Sequence, residues 1–208
     1  MNAFSSTSRT IALVTSLVGG FVLLGVGGSA ALATVSTIRA GEAGPSFQTA
    51  AVDGVTELDV HSAAADFTLE FADVDEASLE VTGSGRQAWV LERDGDELVV
   101  KTKRMLWDFC FGWCGTHDQT VTLTLPKRLD GRLDAELSVS AGGFTARGGF
   151  GDLDLTVSAG EMRFEGAASE LATRVSAGEA TVRASGVGVA DFKVSAGKLI
   201  AELTGGQP

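Results

Sequence analysis

The densest set of chemically able side chains is Met105–His117, MLWDFCFGWCGTH, which holds both cysteines and two of the three tryptophans. Cys110 and Cys114 flank Phe111-Gly112-Trp113. Three chemistries use such a pair. In an oxidising compartment two nearby cysteines form a disulfide, here stapling a hairpin tip that turns at Gly112. The closed loop is short, so its stabilisation falls at the low end of the usual roughly 2–4 kcal/mol. A zinc site would recruit His117 and Asp108 or Asp118, but C-x3-C-x2-H is not a standard zinc spacing. A redox pair would want C-x-x-C. The disulfide is the favoured reading.

In the same segment Trp107, Phe109, Phe111 and Trp113 fall on alternate residues, with Asp108 and the cysteines on the other parity. On a strand they form one apolar face. Two uses fit: a flap that buries the rings over an open end of the fold, or an exposed patch that docks a partner, a glycan or a bilayer surface. Lys101, Lys103 and Arg104 precede it, and Lys127, Arg128 and Arg132 follow. This basic cluster suits anionic lipid or a surface polymer if it faces the membrane.

Other chemistry is thin. Asp152 and Asp154 share one parity of an alternating segment, and paired carboxylates can cleave glycosides. His61 has no cysteine or second histidine near it, so a ligand role is not expected. There is no Walker loop, no GxSxG and no HExxH, and the chain has only two histidines. We expect no enzyme, no catalytic residue, no metal and no cofactor. The formal charge of -11 argues against a phosphate-backbone binder, so no nucleic acid is expected.

The elements that would position these residues begin with a membrane segment. Residues 1–40 hold two basic residues, Arg9 and Arg39, and no acid; removing those two charges from -11 leaves -13 on the rest. Between Thr10 and Ile38 no side chain is charged. A bilayer core needs about 20 apolar residues as a helix, and this run exceeds that. Its length favours an uncleaved signal-anchor. The competing reading is a secretory signal cleaved after Ala33, at Ala31-Leu32-Ala33. Both export the remainder. The expected organisation is a short cytoplasmic tail (1–9), a single transmembrane helix (10–38), a linker (39–50) around Pro45, and an extracytoplasmic domain (51–204).

Self-similarity dominates the second half. Val-Ser-Ala-Gly occurs at Val139, Val157, Val175 and Val194, spaced by 18, 18 and 19 residues. Leu137, Leu155, Thr173 and Phe192 precede these valines by two residues. Phe144, Met162, Ala180 and Leu199 follow by five, and Ala146, Phe164, Val182 and Ala201 by seven. Each unit alternates with the period of a strand buried on one face. Gly142, Gly160, Gly178 and Gly197 stand where one strand must bend into the next. A unit this short is no helix pair and no propeller blade. It predicts an all-β, single-stranded β-solenoid, β-helix-like, with about 18 residues per coil and parallel ladders. Gly148-Gly149-Phe150-Gly151-Asp152 starts like a calcium-binding nonapeptide, but the nine-residue period is missing.

The irregular half (51–132) precedes the repeats (133–204). Glu57–Ala63 with Phe67–Phe71 echoes the strand–corner–strand plan. Ser78–Thr82, Ala88–Glu92, Glu97–Lys103 and Gln119–Leu125 read as further strands. Asp94-Gly95 is a two-residue hairpin signal. This half is expected to mix hairpins with an opening coil and to cap one end.

The hydrophobic amino-terminal segment, the acidic domain opening on Leu-x-Val, the TLTLP strand and the glycine-cornered repeats together resemble the bacterial family called putative adhesins, over roughly residues 52–204. The resemblance implies a membrane-anchored cell-surface β-solenoid, and it transfers no active site. The expected function is therefore structural, adhesive or surface-interacting, with the bilayer and a surface protein or glycan as partners. The alternatives are a sensory ectodomain that signals through a membrane partner and a glycan-active solenoid enzyme.

Overall fold

The computed structural model describes residues 36–38, 46–84, 87–103 and 119–205, and apart from one 3-10 turn at Lys127–Leu129 every regular element in them is a strand. In chain order these are β1 (Ser36–Ile38), β2 (Ser46–Ala50), β3 (Glu57–Ala72), β4 (Ala77–Gly83), β5 (Ala88–Asp94), β6 (Glu97–Lys103), β7 (Gln119–Pro126), β8 (Asp134–Val157), β9 (Glu161–Val175), β10 (Glu179–Val187), β11 (Val189–Val194) and β12 (Lys198–Gly205). Most of the run expected to span the membrane lies outside the described residues; its last three, Ser36–Ile38, form β1, and β2 takes in the end of the expected linker. Among the described residues no helix is long and apolar enough to cross a membrane.

Strands β3, β8 and β9 each run through a corner and serve two ladders. The amino-terminal half of β3 pairs with β6 on one side and β8 on the other, and the carboxy-terminal half of β9 pairs with β11. The other halves extend a second ladder, in the order β1-β2-β4-β7-β3-β8-β9-β10-β12. Strand β8 also follows itself: the Gly151 amide donates to Leu133 and the Ser158 amide to Val139. The pairs from β3 to β12 are parallel, and those among β1, β2, β4 and β7 and between β5 and β6 are antiparallel. The ladder is open, ending at β1 and β12.

The register follows from the repeat. Phe144 aligns with Met162 and Ala146 with Phe164, an offset of one unit. Ala180 and Val182 continue both columns to Leu199 and Ala201. The final spacing of 19 has a local cause. An extra residue enters at Gly186, where β10 shifts register between Ser185 and Val187 and φ is 77°. A one-residue insertion absorbed at a bulge leaves the inward set facing inward on both sides of it.

Inward columns make the core. Phe67 stacks on Phe144 with centroids 4.8 Å apart, and Trp89 of β5 leans on Phe67 at 5.6 Å. Buried glutamines tie the β5–β6 hairpin to the second ladder. Gln48 donates to Trp89 O and accepts from the Leu91 amide, while the Trp89 indole donates to Gln119, which donates to Gln87 O. A buried amide needs such partners, so these bonds fix the hairpin over the amino-terminal end. The expected β5–β6 hairpin forms, but its two-residue loop is Gly95-Asp96, one residue later than the Asp94-Gly95 signal, with Gly95 at φ 65° and Asp94 already paired with Glu97.

Candidate functional site

The four repeat glycines stack on one another. A β-carbon at Gly142 would strike Ala65 O; at Gly160, Gly142 O; at Gly178, Gly160 O; and at Gly197, Gly178 O. Ladder bonds run on through this corner, from Ser158 to Val139, Ala159 to Ser140, Ser176 to Val157 and Ala177 to Ser158. The corner is thus a column of touching backbones. A second column, at Gly148 and Gly166, escaped the sequence reading because it recurs only once; there a β-carbon on Gly166 would meet Gly148 O. A groove along the first corner is lined by Asp66, Glu161, Arg163 and Glu179.

The parallel register sorts charge by face. On the first ladder Glu97, Glu57 and Asp134 align, and Asp152 aligns with Glu170. One pair of residues further on, Asp59 aligns with Glu136. Asp134 and Asp152 join the two sets, since the Asp152 amide donates to the Asp134 carboxylate at 2.8 Å. Neighbouring strands lie about 4.8 Å apart, so this is a continuous acidic surface. Glu97 shows the consequence. Partial burial pushes its pKa up, and the charges of Asp59, Glu57, Asp94 and Asp96 push it further. The second ladder is balanced: Arg163 pairs with Glu161, Arg183 with Glu202 and Lys198 with Glu179. Asp134, Asp152 and Glu170 recur at the repeat spacing of 18, a column that escaped the sequence reading. Glu57 and Glu97 join only through pairings that no repeat announces.

His61 sits in this field. Its Nδ1 lies 2.5 Å from Ser138 Oγ, and its Nε2 lies 3.0 Å from Asp59. The hydrogen bond to Asp59 raises its pKa most; partial burial lowers it, and the charges of Asp59 and Glu136 raise it again. Serine, histidine and aspartate thus meet without any sequence motif. The serine also contacts Val60 O, and the trio stands on the outward face of paired strands, where backbone amides are committed to the ladder. An acyl-transfer centre needs free donors aimed at an oxyanion as well as such a trio. Asp152 is exposed, while Asp154 pairs with Arg174 at 2.8 Å.

Of the expected contact residues, Lys101 pairs with Glu92 at 3.2 Å and Lys103 ends β6. Arg104, Trp107, Phe109, Phe111 and Trp113 lie outside the described residues, as do Cys110 and Cys114 and their expected disulfide. Arg128 bonds Asp75 O and approaches Asp53. Among the described residues no three potential metal ligands gather.

No family model and no curated protein matches the chain. Solved structures do. A putative cell adhesion protein from Clostridium sporogenes aligns over 76% of this chain and 98% of its own, with a TM-score of 0.51 and 8% identity. Putative adhesins from Parabacteroides merdae and Bacteroides fragilis align over 78% and 77% of this chain and 82% and 98% of theirs, with TM-scores of 0.38 and 0.37 and identities of 14% and 11%. The first of these carries the comparison: the chain shares the nearly all-β fold of that protein.

Proposed function

We propose that this chain is a membrane-anchored, extracytoplasmic β-solenoid of the putative-adhesin kind, with a structural or adhesive role and no catalytic one. The apolar run after Thr10 spans the bilayer as a signal-anchor and gives way to strand by Ser36, and 51–204 stand on the outer surface. The parallel register at one-unit offsets carries this reading. It turns a short repeat into a rigid stack whose outward residues form long columns, which suits extended contact. The apolar run after Thr10 and the fold shared with a cell adhesion protein support the location.

The contact surface in this reading is the aromatic segment, Trp107, Phe109, Phe111 and Trp113, with Lys101, Lys103 and Arg104 beside it. A surface protein or glycan is its partner, and the Cys110–Cys114 disulfide shapes it. Two measurements test this. Carbonate-washed membranes should retain the full-length chain, with the domain open to external protease; a soluble product beginning after residue 33 would replace the anchor with secretion. Trp107→Ala with Trp113→Ala should abolish attachment of the cells that display the chain, and unchanged attachment would remove that segment from the site.

A further inference from the structure

The two ends of the stack differ. Trp89, Leu91 and the β5–β6 hairpin close the amino-terminal end. At the other end β11 and β12 are edge strands, each paired on one side alone among the described residues. One coil inward, Thr173, Val175 and Ala184, which align with Phe192, Val194 and Leu203, are buried. In the last coil the same columns surface: Phe192 is 38% exposed, Val194 45% and Leu203 38%. An open edge with an apolar row beside it is a template for strand addition. The residues between β6 and β7 leave and rejoin the fold on the far side of β3 from this edge.

We infer that this edge pairs with the same edge of a second copy, antiparallel about a two-fold axis. The charges select both the partner and the register. On β12, the pairing centred on Ile200 sets Lys198 opposite Glu202 twice and Leu199 opposite Ala201. A shift of one residue either way loses both charge pairs. On β11, the pairing centred on Phe192 sets Asp191 opposite Lys193 twice. Phe192 and Ile200 stand equally far along the chain from Ala196 at the corner.

The neighbouring charges agree. Lys198 and Glu202 already bond Glu179 and Arg183 in their own chain. Across the axis they complete the alternating row Glu179–Lys198–Glu202–Arg183. Lys193 aligns with Arg174, a like charge committed to Asp154, and takes part in no ion pair among the described residues. The second copy's Asp191 supplies its carboxylate. A protective edge would carry one sign of charge and repel its own copy; this one is self-complementary, as a two-fold interface must be.

The pairing has a geometric consequence that rests on the anchored reading above. Strands β1 and β2 end the ladder opposite β12. Joining two copies by their β12 edges puts the two β1 strands, which follow the proposed anchors in the chain, at opposite ends of the paired ladder. That arrangement bridges facing membranes, a homophilic contact between surfaces.

Sedimentation of the full chain in detergent tests the pairing without any membrane geometry. Wild type should be dimeric, and Lys198→Glu and Glu202→Lys should each weaken dimerisation about tenfold or more through like-charge contacts. An equimolar mixture of the two variants should recover it, because both charge pairs across the axis then form with their signs exchanged or kept. A monomeric wild type, or a dimer indifferent to both variants, overturns the inference. Vesicles reconstituted with wild type should cluster, and vesicles carrying either variant should cluster only when mixed with the other. Flotation of the same vesicles reads anchoring separately: a chain that does not float refutes the anchored reading, while the detergent measurement still decides the pairing.

Discussion

Adding one methyl group at Gly178 tests the corner column directly. Where alanine fits, replacing glycine stabilises a protein by about 0.4–1 kcal/mol, because the unfolded chain loses freedom. At Gly178 alanine does not fit. Its β-carbon would meet Gly160 O, Gly160 N and Val157 Cγ1. The first two are backbone atoms of the next coil, whose ladder fixes them: the Glu179 amide donates to that same Gly160 oxygen at 3.0 Å. Overpacking of this kind costs about 1–3 kcal/mol. In a domain of this size each kcal/mol moves Tm by about 2–4 °C, so Gly178→Ala should lower Tm by about 2–12 °C. Gly197→Ala should cost less although it meets the same kind of atoms, because the last coil can shift outward. Gly95→Ala separates space from backbone strain, since nothing lies within 4 Å of its β-carbon while φ is 65°. Thermal melting by circular dichroism reads all three. A rise in Tm for Gly178→Ala would refute the close stacking of corners.

Three further outcomes follow from single side chains. Thr173 is fully buried and its hydroxyl has no partner, so Thr173→Val, which keeps the shape, should stabilise by about 1–2 kcal/mol in chemical denaturation. Glu97 has its pKa raised above 4.5, so its ionisation costs stability as pH rises through the folded value. Glu97→Gln should therefore melt higher at neutral pH, with an advantage that vanishes below the ordinary carboxylate range. His61, raised above 6.5, favours the folded state fully below that value and loses the contribution as pH climbs through its folded pKa. Asp59→Asn removes the largest cause of the shift, and an NMR titration of the imidazole should show the pKa fall.

The second half was legible because its units keep one period. Given that spacing, Phe144, Met162, Ala180 and Leu199 have to align, and they do. Strand limits in the first half were close for the same local reason: alternation and turn residues act over a few positions. Pairing in that half was not legible. Strand β3 reaches β8 across 77 residues, Glu57 to Asp134, with the β5–β6 hairpin and strands β4 and β7 between. Alternation gives a strand's inward face and not its neighbour. The Asp59–His61–Ser138 cluster and the joining of Glu57 and Glu97 to the acidic surface depend wholly on that pairing. Gln48 and Gln119 were missed because a buried glutamine leaves no pattern; each is held by partners on another strand.

The open end also makes stability depend on concentration. Stacked repeats gain from each neighbour, and a terminal unit with an exposed inner face lacks half of that gain. If a second copy supplies it, folding and association are linked by mass action. Above the dissociation constant, each tenfold rise in total protein should then stabilise each chain by about 0.7 kcal/mol, half of the 1.4 kcal/mol that a tenfold change represents. That is about 1–3 °C in Tm. Lys198→Glu should flatten the dependence without unfolding the chain, because its side chain is exposed and its own bond to Glu179 is a surface pair worth about 0–1 kcal/mol. A Tm for wild type that stays level over a hundredfold range of concentration would show that the last coil is stable with its edge bare. The apolar residues Phe192, Val194 and Leu203 would then contribute nothing through self-association.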